Sequence, residues 1–200
     1  TEKIIDESAP ELVITATDAN AVFPKLFVKD NVCTVTDILD GKIVLKDKRV
    51  ALIGSGMTGL ETSELLCSMG NKVTVVEMAD EIAPGGYFQH IDDALPKLYD
   101  AGTVFMTSSK LVEINENGIV TENTKTAEKT AVKADYVVLS LGSRSDNRLY
   151  EQIKDSTKYK VINVGDSQKV GRIANATAKS ARYFRSSSVL FSSITRRLVV

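Results

Sequence analysis

Cysteine and histidine are almost missing from this chain of 200 residues. Cys33 and Cys67 stand far apart and form no CxxC pair. That spacing excludes a zinc ribbon, an iron–sulfur ligand set or a redox-active disulfide within this stretch. His90 is the sole histidine, so catalytic triads and histidine-based metal sites have almost nothing to draw on. An excess of charge is missing too. The formal net charge of −1 gives no electrostatic footprint for nucleic acid or for an acidic membrane surface. No apolar run approaches the roughly 20 residues that span a bilayer, and Thr1-Glu2-Lys3 is not the start of a signal peptide. Two thiols without a pairing pattern fit a reducing cytoplasm. What is present is ordinary for a globular protein with a real core: 43% hydrophobic and 26% charged residues. The length suits one domain plus part of another. With no initiating Met and an early strand-like run, the chain reads as a piece of a longer polypeptide.

Hydrophobic patterning predicts an α/β fold. Glu11–Ala16 is a short β-branched run, read as a buried strand, with Asp18–Asn20 as the turn after it. Residues 21–48 read as a connector with a short helix near Val35–Leu39. Arg49–Gly54 is a clear strand. A helical pattern runs from Met57 to Met69, and Gly70 serves as its left-handed cap. Lys72–Glu77 is the next strand. Together they make a βαβ unit whose parallel strands lie between helices. Ile91–Ala101 is expected as a helix kinked or broken at Pro96, and Thr103–Thr107 as a third strand. Leu111–Ile114, Gly118–Thr121 and Thr130–Val132 read as an antiparallel meander. Asp135–Leu141 and Val161–Asp166 are further strands, and Ile173–Phe184 is a helix. The tail after Phe184 has no assignment.

The chemistry is carried by Gly54-Ser55-Gly56-Met57-Thr58-Gly59. A GxGxxG alone is weak, but this one follows a strand, opens a helix, and has an acidic residue about 20 positions on, at the end of the next strand. Gly54 permits the tight turn, Gly56 lets a pyrophosphate approach the backbone, and Gly59 lets the helix lie close on the sheet. Main-chain N–H groups from Ser55 to Thr58 then face the phosphates, with the helix dipole behind them. Glu77 accepts hydrogen bonds from the adenosine ribose. A 2′-phosphate there meets like charge, and neither Met78 nor Ala79 offers a cation, so the pattern favours NAD(H) over NADP(H). The plain alternative is a strand–turn–helix corner whose glycines serve only packing. Leu141-Gly142 ends a strand on the same sheet edge, where ligands of open α/β sheets bind. Glu61 is either a solvated helix residue or a polar contact near the nicotinamide. His90 reads as a loop residue, Met57 and Met69 as core more than cofactor contacts, and Cys67 as a buried small hydrophobe.

The order Val-Ile-Thr-Ala-Thr17, a linker with Pro24, GxGxxG with Glu77, Asp135-Tyr-Val-Val-Leu-Ser-Leu-Gly142 and Val-Gly165-Asp166 resembles the flavoproteins with two dinucleotide-binding domains. It is most similar to the C-terminal half of the clostridial enoate reductase and 2,4-dienoyl-CoA reductase group, the NADH:flavin oxidoreductases, over residues 11–184. The resemblance implies a Rossmann-like three-layer NAD(P)-binding domain, with a central parallel sheet and a β-meander, inserted into an FAD-binding domain. Residues 46–142 are then the insert, residues 1–45 and 143–184 pieces of the FAD domain, and 185–200 an unassigned tail. It also implies that Thr17, Gly165, Asp166 and Ala174 lie at FAD, with Asp166 on the ribityl chain. NADH and FAD are the implied cofactors, with FMN and an iron–sulfur cluster in an upstream barrel. The glycine that normally follows Ala-Thr is Asp18 here. The first, FAD-holding GxGxxG is absent from this sequence, and so is the barrel. The chain on its own is therefore expected to bind FAD poorly and to be inactive. The nearest rival, a thioredoxin-reductase-like role, needs a CxxC in the nucleotide domain. An NADH-oxidase-like flavoprotein and a non-catalytic nucleotide-binding module stay open.

Overall fold

The structure, a computed structural model, describes residues 2–24 and 30–186. It divides into two compact units, Ala21–Gly142 and the pair of segments Thr1–Asn20 with Ser143–Val200.

The Ala21–Gly142 unit is built on a five-stranded parallel sheet. Its strands are β3 (Val32–Thr34), β4 (Arg49–Ile53), β5 (Lys72–Val76), β6 (Val104–Met106) and β10 (Tyr136–Leu139), in the order β3-β10-β4-β5-β6. The chain runs outward from β4 through β5 to β6 and later returns on the other side as β10. The order reverses between β4 and β10, the place where open α/β sheets form a crevice at their carboxyl ends. The sheet is buried on both faces, as parallel sheets must be: Val50, Ala51, Leu52 and Ile53 are each at most 5% exposed. Alternation along the strands separates two cores. Ala51, Ile53, Val137 and Leu139 meet Leu111, Ile114 and Ile119 of the antiparallel meander β7 (Ser109–Asn115), β8 (Gly118–Asn123) and β9 (Lys129–Lys133). Val50, Leu52, Val73, Val75 and Val138 meet Ile38 and Leu66 of helices α2 (Val35–Leu39) and α3 (Met57–Ser68). A third cluster joins Leu60 of α3 to Ala94 and Leu98 of α4 (Phe88–Asp100). Helices, sheet and meander make the three layers expected from the sequence.

Local chemistry explains several boundaries. Thr34 caps α2, its hydroxyl accepting from the Asp37 N–H while the Asp37 carboxylate accepts from the Thr34 N–H, a closed capping box. Gly70 takes a φ of +79° just past α3, the left-handed cap read from the sequence. Inside α3, Thr62 and Ser63 are buried, and each hydroxyl donates to the carbonyl four residues back, on Thr58 and Gly59. α4 differs from expectation. It starts three residues earlier than the periodicity indicated and runs unbroken through Pro96, because Ala94 and Leu98 fix one face in the core and outweigh the one main-chain bond a proline forfeits. The unit also takes in β3 and α2, upstream of Lys46. β3 is only three residues long and shows no alternation, so the sequence reads as a connector there, yet all three of its residues are buried beside β10.

In the second unit, β1 (Leu12–Thr15) pairs in parallel with β12 (Lys160–Asn163). A 3₁₀ turn at Gly165–Ser167 and α6 (Ile173–Ser186) follow β12. The chain opens on α1 (Glu2–Ser8), not on a strand-like run; this helix buries no residue, so no apolar stripe marks it. Asp18–Asn20 is not simply a turn, since β2 (Ala19–Ala21) pairs there with β11 (Ser143–Ser145). α5 (Arg148–Ile153) buries Ile153 alone, so no apolar periodicity marks it in the sequence. The unassigned tail lies, from residue 187 on, outside the described residues. Among the described residues no helix is long and apolar enough to cross a membrane.

Candidate functional site

β4, β5 and β10 run parallel and in register, so their carboxyl ends place Gly54, Glu77 and the Ser140–Gly142 segment on one edge. The three motif glycines have different reasons to be glycine. A Cβ on Gly54 would run into the carbonyl oxygen of Ser140, and one on Gly59 into that of Gly54, with the Ser140 hydroxyl 3.0 Å away. Both are needed for the turn and the first helical turn to lie against β10. Gly56 is different. Its backbone (φ −54°, ψ 170°) is open to any residue, and a Cβ there would meet no protein atom within 4 Å. Nothing in the fold requires glycine at 56, so what its bare backbone leaves free is space outside the protein. Gly56 is also the N-cap of α3, and no side chain caps the helix. The N–H groups of Met57 and Thr58, at half-buried and exposed residues, therefore keep the donor capacity of a bare helix start.

Ser55 departs from the reading of it as a phosphate-facing amide. It is fully buried. Its N–H and its hydroxyl both donate to Glu77 Oε2, at 2.8 and 2.9 Å, and the hydroxyl accepts from the Ala83 N–H at 2.9 Å. Ser55 thus pins three segments together, and the amides that face outward are those after it. The sign of this role is available in the βαβ geometry itself: the residue following the first glycine turns in, toward the end of the next strand.

Glu77 is half-buried, and its other oxygen accepts from the Ala79 N–H at 2.8 Å. Burial by itself pushes its pKa up, but the hydrogen bonds from Ala79, Ser55 and Met78 outweigh that and hold the carboxyl below its ordinary value. The side chain is a fixed, ionised acceptor. A carboxylate has about four lone-pair positions, and Ser55, Ala79 and Met78 draw on them, which fixes the side chain in one orientation. Glu61 sits on the exposed face of α3, its Oε1 3.4 Å from Nε2 of His90. His90 is therefore a residue of the first turn of α4 rather than of a loop. Met57 and Met69 are half-buried and lie outside the apolar clusters, so neither is core. Cys67 is partly buried, 3.4 Å from the Thr103 hydroxyl. Cys33 is buried, and burial, with Asp37 adding to it, lifts its thiol to about 11; it stays a thiol at neutral pH. Leu141 is part-exposed, and the Gly142 carbonyl accepts from the Val22 N–H at 2.9 Å.

In the other unit a cleft of about 350 Å³ is lined by Ala16, Asp18, Gly165, Asp166, Gly171 and Ala176, among others. Gly165 and Asp166 fall on it directly, while Thr17 and Ala174 adjoin lining residues. Thr17 donates its hydroxyl to the Asp146 carbonyl, and Ala174 is exposed in the first turn of α6. Asp18 has a φ of +64° and accepts the Ala19 N–H on its own carboxylate, so an aspartate keeps the left-handed backbone that a glycine adopts without strain. Asp166 accepts from the Gly171 N–H at 3.2 Å. Among the described residues no cluster of His, Cys, Asp and Glu has the makings of a metal site.

Residues 11–173 match the family model described as pyridine nucleotide-disulphide oxidoreductase. The chain is 32% identical over 180 residues to an NADH oxidase of Thermoanaerobacter brockii, covering 85% of this chain and 27% of that protein. It is 29% identical over 175 residues to a cinnamate reductase of Clostridium sporogenes, covering 86% of this chain and 26% of the relative. The solved structure of a 2-naphthoyl-CoA reductase in complex with 2-naphthoyl-CoA superposes with a TM-score of 0.77 at 26% identity, over 88% of this chain and 27% of that one. The chain thus spans about a quarter of the length of these proteins. A family match over most of the sequence, on a parallel sheet whose carboxyl edge carries the GxGxxG turn, places this chain in the pyridine nucleotide-disulphide oxidoreductase family.

Proposed function

We propose that the turn from Gly54 to Gly59, with Glu77, holds NADH, and that the protein sets its nicotinamide against a flavin so that hydride passes between the two. The observation that carries this reading is Gly56: of the three motif glycines it alone has no partner in the fold that excludes a side chain. A diphosphate lying on the main chain supplies the missing reason. The amides of Met57 and Thr58 donate to the phosphates, and Glu77, held by Ser55 and Ala79, accepts from the adenosine ribose. Leu141 and Gly142 border the same sheet edge, and Glu61, restrained by His90, lies further along α3.

The nicotinamide and flavin supply the redox chemistry when bound, and the chain supplies position and electrostatics. Hydride transfer between two rings needs no general base. In the second unit, Thr17, Asp18, Gly165, Asp166 and Ala174 offer part of an FAD site, with Asp166 at the ribityl chain. The glycine turn for the FAD pyrophosphate, the other part of such a site, is not among these residues. By similarity to the enoate reductase and 2,4-dienoyl-CoA reductase group, the full protein carries FMN and an iron–sulfur cluster upstream and reduces activated alkenes, and this chain's two thiols without a pairing pattern suit a reducing cytoplasm. The similarity to a cinnamate reductase supports that choice of acceptor.

The test is Gly56→Val. The backbone there tolerates valine and the space is empty of protein, so the melting temperature should hold while NADH affinity falls about a hundredfold, close to 2.7 kcal/mol. Unchanged affinity by calorimetric titration would remove the pyrophosphate assignment.

A further inference from the structure

The rim of the Glu77 turn carries a second carboxylate and, facing it, a cation delivered by the meander. A ladder of main-chain bonds ties the two segments. The Ser109 N–H donates to the Glu77 carbonyl at 2.8 Å, the Ser108 N–H to the Ala79 carbonyl at 2.6 Å, and the Thr124 N–H to the Ser108 carbonyl at 2.7 Å. Asn123 Oδ1 then accepts the N–H groups of Lys125 and Thr126, at 2.9 and 3.0 Å. The backbone from which Lys125 rises is therefore fixed beside the residues that follow Glu77. Its Nζ lies 3.3 Å from Asp80 Oδ2, with both side chains more than 60% exposed.

We propose that Asp80 determines nucleotide specificity at this site, by keeping Lys125 paired and so withholding it from the 2′-phosphate of NADPH. The inference rests on the reading that Glu77 faces the adenosine ribose. There the two nucleotides differ by one group, a phosphate carrying about −1.5 to −2 charges at neutral pH. Glu77 repels that group whatever the state of Asp80. Lys125 is a cation the fold brings to the same rim, and its pairing with Asp80 leaves the rim net negative. Removing the Asp80 carboxylate takes away one repulsive charge and frees an ammonium. Both changes favour NADPH, and NADH, with a neutral hydroxyl at that position, is indifferent to them.

The experiment is a titration of the full chain and its variants Asp80→Ala, Lys125→Ala and the double variant with NADH and with NADPH, at low and at 0.5 M salt. Asp80→Ala should tighten NADPH about fivefold at low salt, the scale of one screened charge at an exposed site. NADH should change by less than about twofold. The gain should vanish in the double variant and shrink at high salt. An unchanged NADPH to NADH ratio in Asp80→Ala overturns the proposal, and so does a full gain in the double variant, which has the parent's net charge and lacks the Lys125 ammonium. Absence of NADH binding to the unaltered chain is a separate result: it overturns the nucleotide reading beneath the proposal.

Discussion

The two units of this chain keep their shape by different means. In Ala21–Gly142 the sheet is dry on both sides, and all three apolar clusters lie within it. In the other unit, Ile153 and Tyr159 are the buried apolar residues among those described, and Thr15, Asn163 and Ser167 are buried polar ones. There a hydrogen-bonded knot stands where a core would be. Thr15 donates to Asn163 Oδ1, Ser167 donates to the same oxygen, and the Asn163 amide returns a bond to the Ser167 carbonyl. Each such bond nets about 1 kcal/mol on folding, whereas burying one leucine or valine yields about 1.5–3 kcal/mol. A knot specifies geometry well and adds little stability. The second unit is therefore held by fewer apolar contacts than the first, and its geometry rests more on hydrogen bonds.

The sharpest way to break this comparison is to remove apolar atoms from a strand of each unit. Leu52 is wholly buried in β4, and Ile14 of β1 is 45% exposed. Leu52→Ala should cost about 2–5 kcal/mol, and Ile14→Ala less than about 0.5 kcal/mol, read from denaturant midpoints. Hydrogen exchange should follow the same order, with amides of β4, β5 and β10 opening only with global unfolding and those of β1 and β12 opening locally. Equal protection in β1 and β4 would show that the second unit has support the described residues do not reveal.

A glycine pair sharpens the contrast. Gly59 lies against the Gly54 carbonyl, whereas a Cβ on Gly165, at φ +68°, would meet open space. Gly59→Ala must push the helix off the turn and should cost more than about 2 kcal/mol by overpacking. Gly165→Ala pays only for its left-handed backbone, about 1 kcal/mol. Thermal melts of the two variants decide it. A mild Gly59→Ala would mean that the turn gives way easily and that the close approach to Ser140 is not a constraint.

The same contrast governs how much the sequence discloses. β4, the glycine turn, α3 and β5 are legible because a buried parallel strand is a continuous β-branched run and the turn allows few residues. The meander is legible from its alternation. β3 is hidden by its shortness, since Val32-Cys33-Thr34 is too brief to show a period and owes its burial to β10, about 100 residues away in sequence. α1 is hidden because it buries nothing. At the site, Gly54, Gly56, Gly59 and Glu77 declare themselves by spacing, but the partners that position them do not. The bonds from Ser55 to Glu77 span 22 positions, and Lys125 reaches Asp80 across 45. Spacing rules see one element and its neighbour; side-chain pairing across layers follows only from the assembled sheet.

The smallest expected effect separates the two units by pH. Glu77 is held ionised by hydrogen bonds that an unfolded chain lacks, so its folded pKa lies below the ordinary value of 4.5. A group of that kind adds stability that is complete above the unfolded pKa and is lost as the pH falls through the folded one. The melting temperature should therefore carry a Glu77 contribution that is flat above about pH 6 and declines below about pH 4.5, worth less than about 1 kcal/mol because solvent screens a half-exposed carboxylate. Glu77→Gln keeps one acceptor oxygen, enough for the Ser55 or the Ala79 N–H but not for both, and has no charge to lose, so its melting curve should start lower and fall less steeply over that range. Local exchange at Ser55 and Ala83 should accelerate on acidification in the parent and not in the variant, while β1 and β12 respond alike in both. Identical acid slopes for parent and variant would mean that Ser55 is pinned as well by a neutral carboxyl, and that the charge on Glu77 adds nothing to folding.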